Sequence, residues 1–285
     1  MSAAPRRRTG RRQTQYRKVY IMVDFEGIAG FLEWDDYSEA SPKRHRLRTF
    51  LSNEVNAAAT ACFAAGAEEV LVWDSHGPAG NCNNIYIELL HPEVQVIQGH
   101  KGLPSFYPLL DRSFDAGMYL GMHAMAGTPH AVVPHTRTVL NGQALGEGGM
   151  FLAMCSFFKV PVVFASGDAA AIDQVLALVP EMEQVKTKWA FGPYAARTLT
   201  PQKSCALIAA GARHALARRA EIPCWGLVPP YVFEREDGSR LEGPDLFELY
   251  NHGYLGDVKW SNQAVEPQRG QLAEYKRGLR YRYNQ

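Results

Sequence analysis

The chain has 285 residues, 46% hydrophobic and 21% charged, with a formal net charge of +1 at pH 7. This length can bury a sizeable core and the composition is ordinary for a globular protein. No apolar run reaches the roughly 18 residues of a membrane span, so we expect no membrane partner, and the net charge argues neither for nor against nucleic acid.

The first 17 residues form a basic segment that we predict to be a disordered, solvated tail. The positive charges of the segment are Arg6, Arg7, Arg8, Arg11, Arg12 and Arg17, and Lys18 follows directly. An arm for nucleic acid or a membrane surface is the alternative, although we do not expect a nucleic-acid partner. The arginines are not followed by the apolar segment of about 7 to 15 residues that a secretory signal contains, which argues against such a signal.

From Lys18 onward, apolar runs alternate with helical patterns. Residues 19–23 predict a strand buried on both faces, 45–65 a helix that ends at Gly66, and 69–75 the next strand. This order is a βαβ unit, which indicates a parallel sheet. Further strands are predicted at 94–99, 116–123 and 161–168, with a hairpin at 138–147.

The predicted fold class is therefore α/β, with a mostly parallel central sheet flanked by helices and a smaller β-rich C-terminal portion. We expect an α/β metal-binding catalytic domain over 18–220. Residues 221–285 would form a C-terminal β/α portion, either a subdomain or a subunit contact, with a final helix from about residue 266.

Five candidate metal ligands lie at predicted strand ends or in neighbouring turns. They are Asp24, Glu26, His76, His123 and Glu147. In open α/β sheets the carboxyl ends of the strands are where ligands bind, and three carboxylates with two imidazoles suit a pair of divalent ions. Each residue alone is explained as readily by a solvated acid or a turn histidine, so the joint placement is the signal. It indicates metal-assisted hydrolysis.

Other polar residues near these positions have less specific interpretations. Asp74 could orient the ring of His76 or cap the next turn, and Asn83 and Asn84 could act similarly. His135 lies twelve residues after His123 and is a candidate proton carrier, with His130 as its rival.

Several of these segments together resemble a known family. VDFEGIAG, VLVWDSHG, LGMHA, TPHAVVPH and LNGQALGE, followed by FASGD and VKTKWAFGPYAARTLTP, occur in order between Lys18 and Leu216. The chain is similar in these blocks to the DppA-type D-aminopeptidases, the M55 metallopeptidase family. Two departures are an extra residue between the His123 and His135 blocks and a C-terminal part that matches only loosely.

The resemblance implies a metallopeptidase with two zinc ions per subunit. Asp24 would bridge them, Glu26 and His76 would complete one site, and His123 and Glu147 the other, with His135 as the catalytic histidine. The resemblance also implies a homo-oligomer, a ring-shaped decamer. The substrate would be a short peptide or an amino-acid amide, and manganese or cobalt suits the same ligands as zinc.

Other functions fit parts of the pattern. A metal-dependent amidase of non-peptide amides or a two-metal phosphoesterase would use the same centre on another substrate. Cys82 could serve a cysteine hydrolase, and a binding protein could keep a vestigial site. The five cysteines are scattered without a C-x-x-C pair, which indicates a reduced, cytoplasmic protein.

Overall fold

The computed structural model describes most of the chain between Lys18 and Asn251. The described ranges are 18–33, 41–77, 83–99, 103, 105–234 and 238–251. The predicted tail at 1–17, the predicted final helix and Cys82 lie outside the described residues.

The strands and helices follow the predicted order closely. The strands are β1 Lys18–Val23, β2 Glu69–Asp74, β3 Gln95–Ile97, β4 Ala116–Met122, β5 Thr138–Leu140, β6 Gln143–Leu145, β7 Val162–Asp168, β8 Glu183–Gly192, β9 Ala195–Thr198, β10 Tyr231–Glu234 and β11 Arg240–Gly243. The helices are α1 Pro42–Ala64, α2 Glu147–Phe157, α3 Ala169–Leu176, α4 Pro201–Ala217 and α5 Leu246–Tyr250. None of the described helices is both long and apolar enough to cross a membrane.

The main sheet has seven strands in the order β3-β2-β1-β4-β7-β8-β9. Every pairing in it is parallel except the one between β8 and the edge strand β9. The prediction of a mostly parallel sheet flanked by helices is confirmed. The antiparallel β9 was not predicted, because its sequence, Ala-Ala-Arg-Thr, has no apolar alternation.

The order of strands creates a switch point beside β1. The chain runs from β1 to β2 and β3 on one side, and then continues with β4, β7 and β8 on the other. Right-handed crossovers in opposite directions place helices on opposite faces of a sheet. Helix α1 packs against α4, whereas α2 packs against α3. The crevice at the carboxyl ends of β1 and β4 is therefore the expected ligand site.

A second sheet joins distant parts of the chain. It has the order β11-β10-β5-β6, and the hairpin between β5 and β6 turns at Asn141 and Gly142 with φ values of 51° and 76°. Positive φ at both residues is the geometry of a type I′ turn. Strand β10 pairs with β5, and Phe247 of α5 packs edge-on against Phe158. The division of the chain near residue 220 stays a prediction.

Candidate metal centre

Asp24 and Glu26 lie in the loop that follows β1 and are both buried. The Asp24 N–H donates to the carbonyl oxygen of Leu120 at 2.8 Å, and the Gly27 N–H donates to that of Gly121 at 2.7 Å. Gly121 permits this close approach of the loop to β4. Its φ is +73°, and a Cβ there would lie 2.1 Å from the carbonyl oxygen of Asp24.

His76, just beyond β2, completes a first group of ligands with these two acids. Its Nδ1 lies 2.9 Å from Asp24 Oδ1 and 3.0 Å from Glu26 Oε2. One ligand atom from each of the three residues falls within 4.8 Å of the others. Two carboxylates and one imidazole at these distances can hold a divalent cation.

His123, His135 and Glu147 form a second group on the other side of Asp24, with ligand atoms also within 4.8 Å of one another. His123 follows β4, and Glu147 is the first residue of α2. His123 Nε2 lies 3.3 Å from Glu147 Oε1, and the His123 and His135 rings are stacked. The second group thus contains a histidine that the resemblance assigns to catalysis rather than to metal binding.

Asp24 connects the two groups. Its Oδ1 faces His76, whereas its Oδ2 lies 3.5 Å from His123 Nε2. The structure therefore brings all five sequence-predicted ligands and His135 together at one sheet edge. A carboxylate with one oxygen directed to each group has the placement of a bridging ligand.

The ring tautomers indicate which nitrogens are available to a metal. His123 Nδ1 lies 2.9 Å from the carbonyl oxygen of Ala124, and His135 Nδ1 lies 2.8 Å from that of Val133. A carbonyl oxygen only accepts a hydrogen bond, so each Nδ1 carries a proton. In the neutral form of each ring the lone pair is therefore on Nε2, where a metal ion can bind. His123 Nε2 is buried with no hydrogen-bond partner among the described residues, yet it faces two carboxylates. This donor set fits zinc.

The ionisation of the cluster also indicates a cation site. Burial, with the negative charge of Glu26, raises the pKa of Asp24 to about 8. Burial lowers the pKa of His76 and His123, but the negative charge of a neighbouring carboxylate has the larger total effect. Glu26 beside His76 and Glu147 beside His123 raise the pKa of each ring to about 10. Without a cation, Asp24 and the two histidines therefore bind protons near neutral pH. A bound divalent ion would displace those protons.

His135 differs from the other two histidines in its ionisation and its exposure. Burial and the nearby His123 lower its pKa, so the ring is neutral at pH 7. Its side chain is 32% exposed and that of Glu147 is 20% exposed, whereas Asp24, Glu26, His76 and His123 are buried. A substrate would therefore approach the centre from the side of His135 and Glu147.

The predicted supporting residues occupy different places. The Asp74 carboxylate accepts from the Asn84 backbone N–H at 2.6 Å, from Asn84 Nδ2 at 2.9 Å and from the Ile85 N–H at 3.1 Å. Asn84 Nδ2 also donates to the carbonyl oxygen of His76 at 2.7 Å, so Asp74 reaches the His76 backbone through Asn84. Asn83 is exposed, as is His130, the rival of His135.

Three residues near the centre were missed by sequence reasoning. The Tyr119 hydroxyl lies 3.2 Å from Asp24 Oδ2 and 3.4 Å from Glu147 Oε2. Thr136 donates to Glu147 Oε1 at 2.9 Å, and Asp168 accepts from the Val132 N–H at 2.9 Å, which anchors the segment leading to His135. Tyr119 precedes His123 by four strand positions, and this period-two spacing was the available signal.

Comparison with known proteins shows which family this chain belongs to. The sequence model of the M55 peptidase family, the D-aminopeptidases, matches residues 17–239. A D-aminopeptidase of Bacillus subtilis (strain 168) is 32% identical over 220 residues, which cover 75% of this chain and 78% of that protein. The solved structure of the Zn-dependent D-aminopeptidase DppA from Bacillus subtilis, a self-compartmentalizing protease, gives a TM-score of 0.75. The two sequences are 27% identical, and the match covers 82% of this chain and 94% of the DppA chain. This chain belongs to the M55 peptidase family, the D-aminopeptidases.

Proposed function

We propose that this chain is a zinc-dependent aminopeptidase that holds two ions per subunit and removes the N-terminal residue, of D configuration, from short peptides or amino-acid amides. The observation that carries the proposal is the position of Asp24 between two groups of ligand atoms. Asp24, Glu26 and His76 would hold one ion. Asp24, His123 and Glu147 would hold the other.

The charges of the centre suit hydrolysis of an amide. Two divalent cations bring four positive charges, and Asp24, Glu26 and Glu147 bring three negative ones. Zinc bound there supplies Lewis-acid polarisation of a carbonyl and lowers the pKa of water to about 7. The remaining positive charge favours the negative charge that develops on the carbonyl oxygen.

His135 is the residue that we assign to proton transfer. Its neutral ring can accept, at Nε2, the proton that the attacking water loses, and this atom lies 3.5 Å from Glu26 Oε1. The Val133 carbonyl keeps the Nδ1 proton in place, so the ring orientation is set before substrate binds. The partial exposure of His135 lets it reach the leaving amine and pass that proton on.

Anomalous diffraction at the zinc edge on crystals of untreated protein tests the centre directly. We expect two peaks per chain, one on each side of Asp24. Asp24→Asn should lose both, because a neutral amide bridges two cations poorly, whereas Glu147→Gln should lose only the peak beside His123. A single peak in the wild-type protein would contradict the two-ion centre.

A substrate panel tests the reaction. Peptides and amides of D- and L-alanine, non-peptide amides and phosphate monoesters should be supplied to the zinc-loaded protein. We expect hydrolysis of the D-amino-acid derivatives and its loss after chelation. Preference for phosphate esters or for non-peptide amides would reject the aminopeptidase assignment while keeping the metal centre.

We propose further that the protein is a cytoplasmic homo-oligomer, and that the oligomer is a decamer. The structural relative is a self-compartmentalizing protease. Phe191 and Tyr194, at the tip of the β8–β9 hairpin, are 75% and 59% exposed, which suits a subunit contact. The four described cysteines are free thiols, as in a reducing compartment. Light scattering of the purified protein would give the subunit number.

A further inference from the structure

Lys188, at the centre of β8, is a lysine with no solvent exposure. Lysine is almost never fully buried unless its charge is paired. Its Nζ donates to the carbonyl oxygen of Glu26 at 2.5 Å and to that of Phe31 at 2.7 Å. Both acceptors belong to residues 24–31, which we call the ligand loop because it carries Asp24 and Glu26.

The ligand loop is also held by other side chains. Thr187 Oγ1 donates to the carbonyl oxygen of Gly27 at 2.5 Å. The Gly30 N–H donates to Thr198 Oγ1 of β9 at 2.9 Å, and the Ala29 N–H donates to Glu54 Oε1 of α1 at 3.1 Å. A buried loop is costly unless its backbone groups are paired. Here the partners come from β8, β9 and α1.

An irregularity in β8 brings Thr187 and Lys188 to the same loop. Neighbouring side chains of a regular strand point to opposite faces. The pairing of β7 with β8 shifts between Gly167, which pairs with Lys186, and Asp168, which pairs with Lys188. Thr187 is therefore the extra residue of a bulge, and a bulge changes the direction of its side chains.

The charge of Lys188 acts on a buried carboxyl group, that of Glu54. Glu54 is buried in α1 and accepts from Ser204 Oγ at 2.7 Å. Burial raises the pKa of Glu54 to about 7, and the bond from Ser204, the bond from Ala29 and the charge of Lys188 oppose that rise. Burying a charge costs free energy unless the charge is hydrogen-bonded. The hydrogen bonds of Lys188 to Glu26 and Phe31 both reach the ligand loop, so we assign Lys188 a role in the geometry of that loop.

We propose that Lys188 and Thr187 are positioning residues of the metal centre: by holding the carbonyls of Glu26, Phe31 and Gly27, they set the ligand loop so that Asp24 and Glu26 face His76 and His123. These hydrogen bonds reach backbone carbonyls of the ligand loop rather than the carboxylate oxygens of Asp24 and Glu26. The inference rests on the proposed function only in requiring that the centre binds zinc, and it is independent of the substrate.

The test is zinc affinity of the full-length chain, measured by competition with a chromogenic chelator. Lys188→Met keeps the length of the side chain and removes its charge and its hydrogen bonds to the carbonyls of Glu26 and Phe31. We expect zinc affinity to fall about 10- to 100-fold, as for other partners that orient metal ligands. Lys186→Met is the matched control, since Lys186 lies on the same strand and binds Asp173 at 2.6 Å near the surface. The zinc affinity of Lys186→Met should equal that of the wild type.

Two further variants separate positioning from charge balance. Lys188→Met with Glu54→Gln fixes a neutral group at position 54, so any stability loss that comes from an uncompensated Glu54 carboxylate should be recovered while zinc affinity stays low. Thr187→Val removes one hydrogen bond without a change of charge, and it should weaken zinc binding about 10-fold. If neither Lys188 variant folds, Thr187→Val decides alone.

The possible results are distinct. Wild-type zinc affinity in Lys188→Met or in Thr187→Val would overturn the inference, as would recovery of zinc affinity together with stability in the double variant. A wild-type protein that binds no zinc would overturn the proposed centre and the inference together. Zinc binding with no peptide hydrolysis would reject the proposed reaction and leave the inference intact.

Discussion

The rings of His123 and His135 are stacked, with centroids 3.7 Å apart and planes 13° from parallel. Both Nε2 atoms face carboxylates of the centre: that of His123 faces Asp24 and Glu147, and that of His135 faces Glu26. Two protonated rings at this separation would repel. The arrangement therefore requires at least one neutral ring, and the lowered pKa of His135 identifies which one.

Replacement of His135 separates a proton carrier from a metal ligand. In His135→Ala we expect kcat to fall about 10²- to 10⁴-fold, the range for a lost general acid–base group, with zinc content unchanged at two ions per chain. Metal analysis and steady-state kinetics on one preparation measure both. His130→Ala is the control, since His130 is exposed, and its kcat should be unchanged. Loss of one zinc ion from His135→Ala would make His135 a ligand.

Tyr119→Phe removes the hydroxyl that lies beside carboxylates of both ligand groups. We expect zinc affinity to fall about 10-fold, because Asp24 and Glu147 lose a shared hydrogen-bond partner. Stability should change little, since the ring still packs against Phe151. Tyr20→Phe is a matched control, because the Tyr20 hydroxyl donates to the carbonyl oxygen of Pro108. Equal zinc affinities in the two variants would contradict a role for Tyr119.

Gly121→Ala tests whether the close approach of the β1 loop to β4 is required. A Cβ at Gly121 would lie 2.1 Å from the carbonyl oxygen of Asp24, so the loop must move. We expect a loss of more than about 4 kcal/mol in the free energy of unfolding, and no zinc binding. Gly127→Ala controls for the backbone angle alone, because Gly127 also has positive φ but open space at its Cβ. It should cost about 1–2 kcal/mol. Denaturant-induced unfolding of the wild type, Gly121→Ala and Gly127→Ala would measure the three free energies of unfolding.

Glu54 should make stability depend on pH. Its pKa rises from 4.5 to about 7 on folding, so the folded state binds the proton more tightly. The stability from this group is fully present below pH 4.5 and is lost as pH rises through about 7. Relative to Glu54→Gln, the wild type should lose about 3 kcal/mol across that window. Thermal unfolding of both proteins, measured with chelator across this pH range, would give the difference. The same pH dependence of stability in both proteins would exclude the raised pKa of Glu54.

The strands that carry the centre could be predicted because their signals are local. Residues 19–23 are continuously apolar and end in Asp24, and the next apolar strand ends two residues before His76. A parallel sheet aligns such ends on one edge, so the sequence is sufficient to name Asp24, Glu26, His76, His123 and Glu147 as candidates. The structure brings them together, and their roles as zinc ligands remain proposals.

The residues that support the centre could not be found in this way. Lys188 contacts Glu26 across 162 positions of the chain, and Thr187 contacts Gly27 across 160. Nothing in the pattern of β8 distinguishes a lysine that is buried from one at the surface, because the bulge that directs Lys188 inward depends on its register with β7. Tyr119 has an even spacing from His123 as its only local signal, and within an apolar strand it has the appearance of an ordinary core aromatic.

The sequence by itself determined the βαβ order, the mostly parallel sheet and the kinds of ligand at its edge, because hydrophobic periodicity and residue chemistry are local properties. Tertiary structure alone decided that β4 lies beside β1, that His135 stacks on His123 rather than leaving that place to His130, and that Asp24 directs one oxygen to each group. These relationships depend on strand order, register and close backbone packing. Such contacts join residues too far apart in the chain for any local pattern to record them.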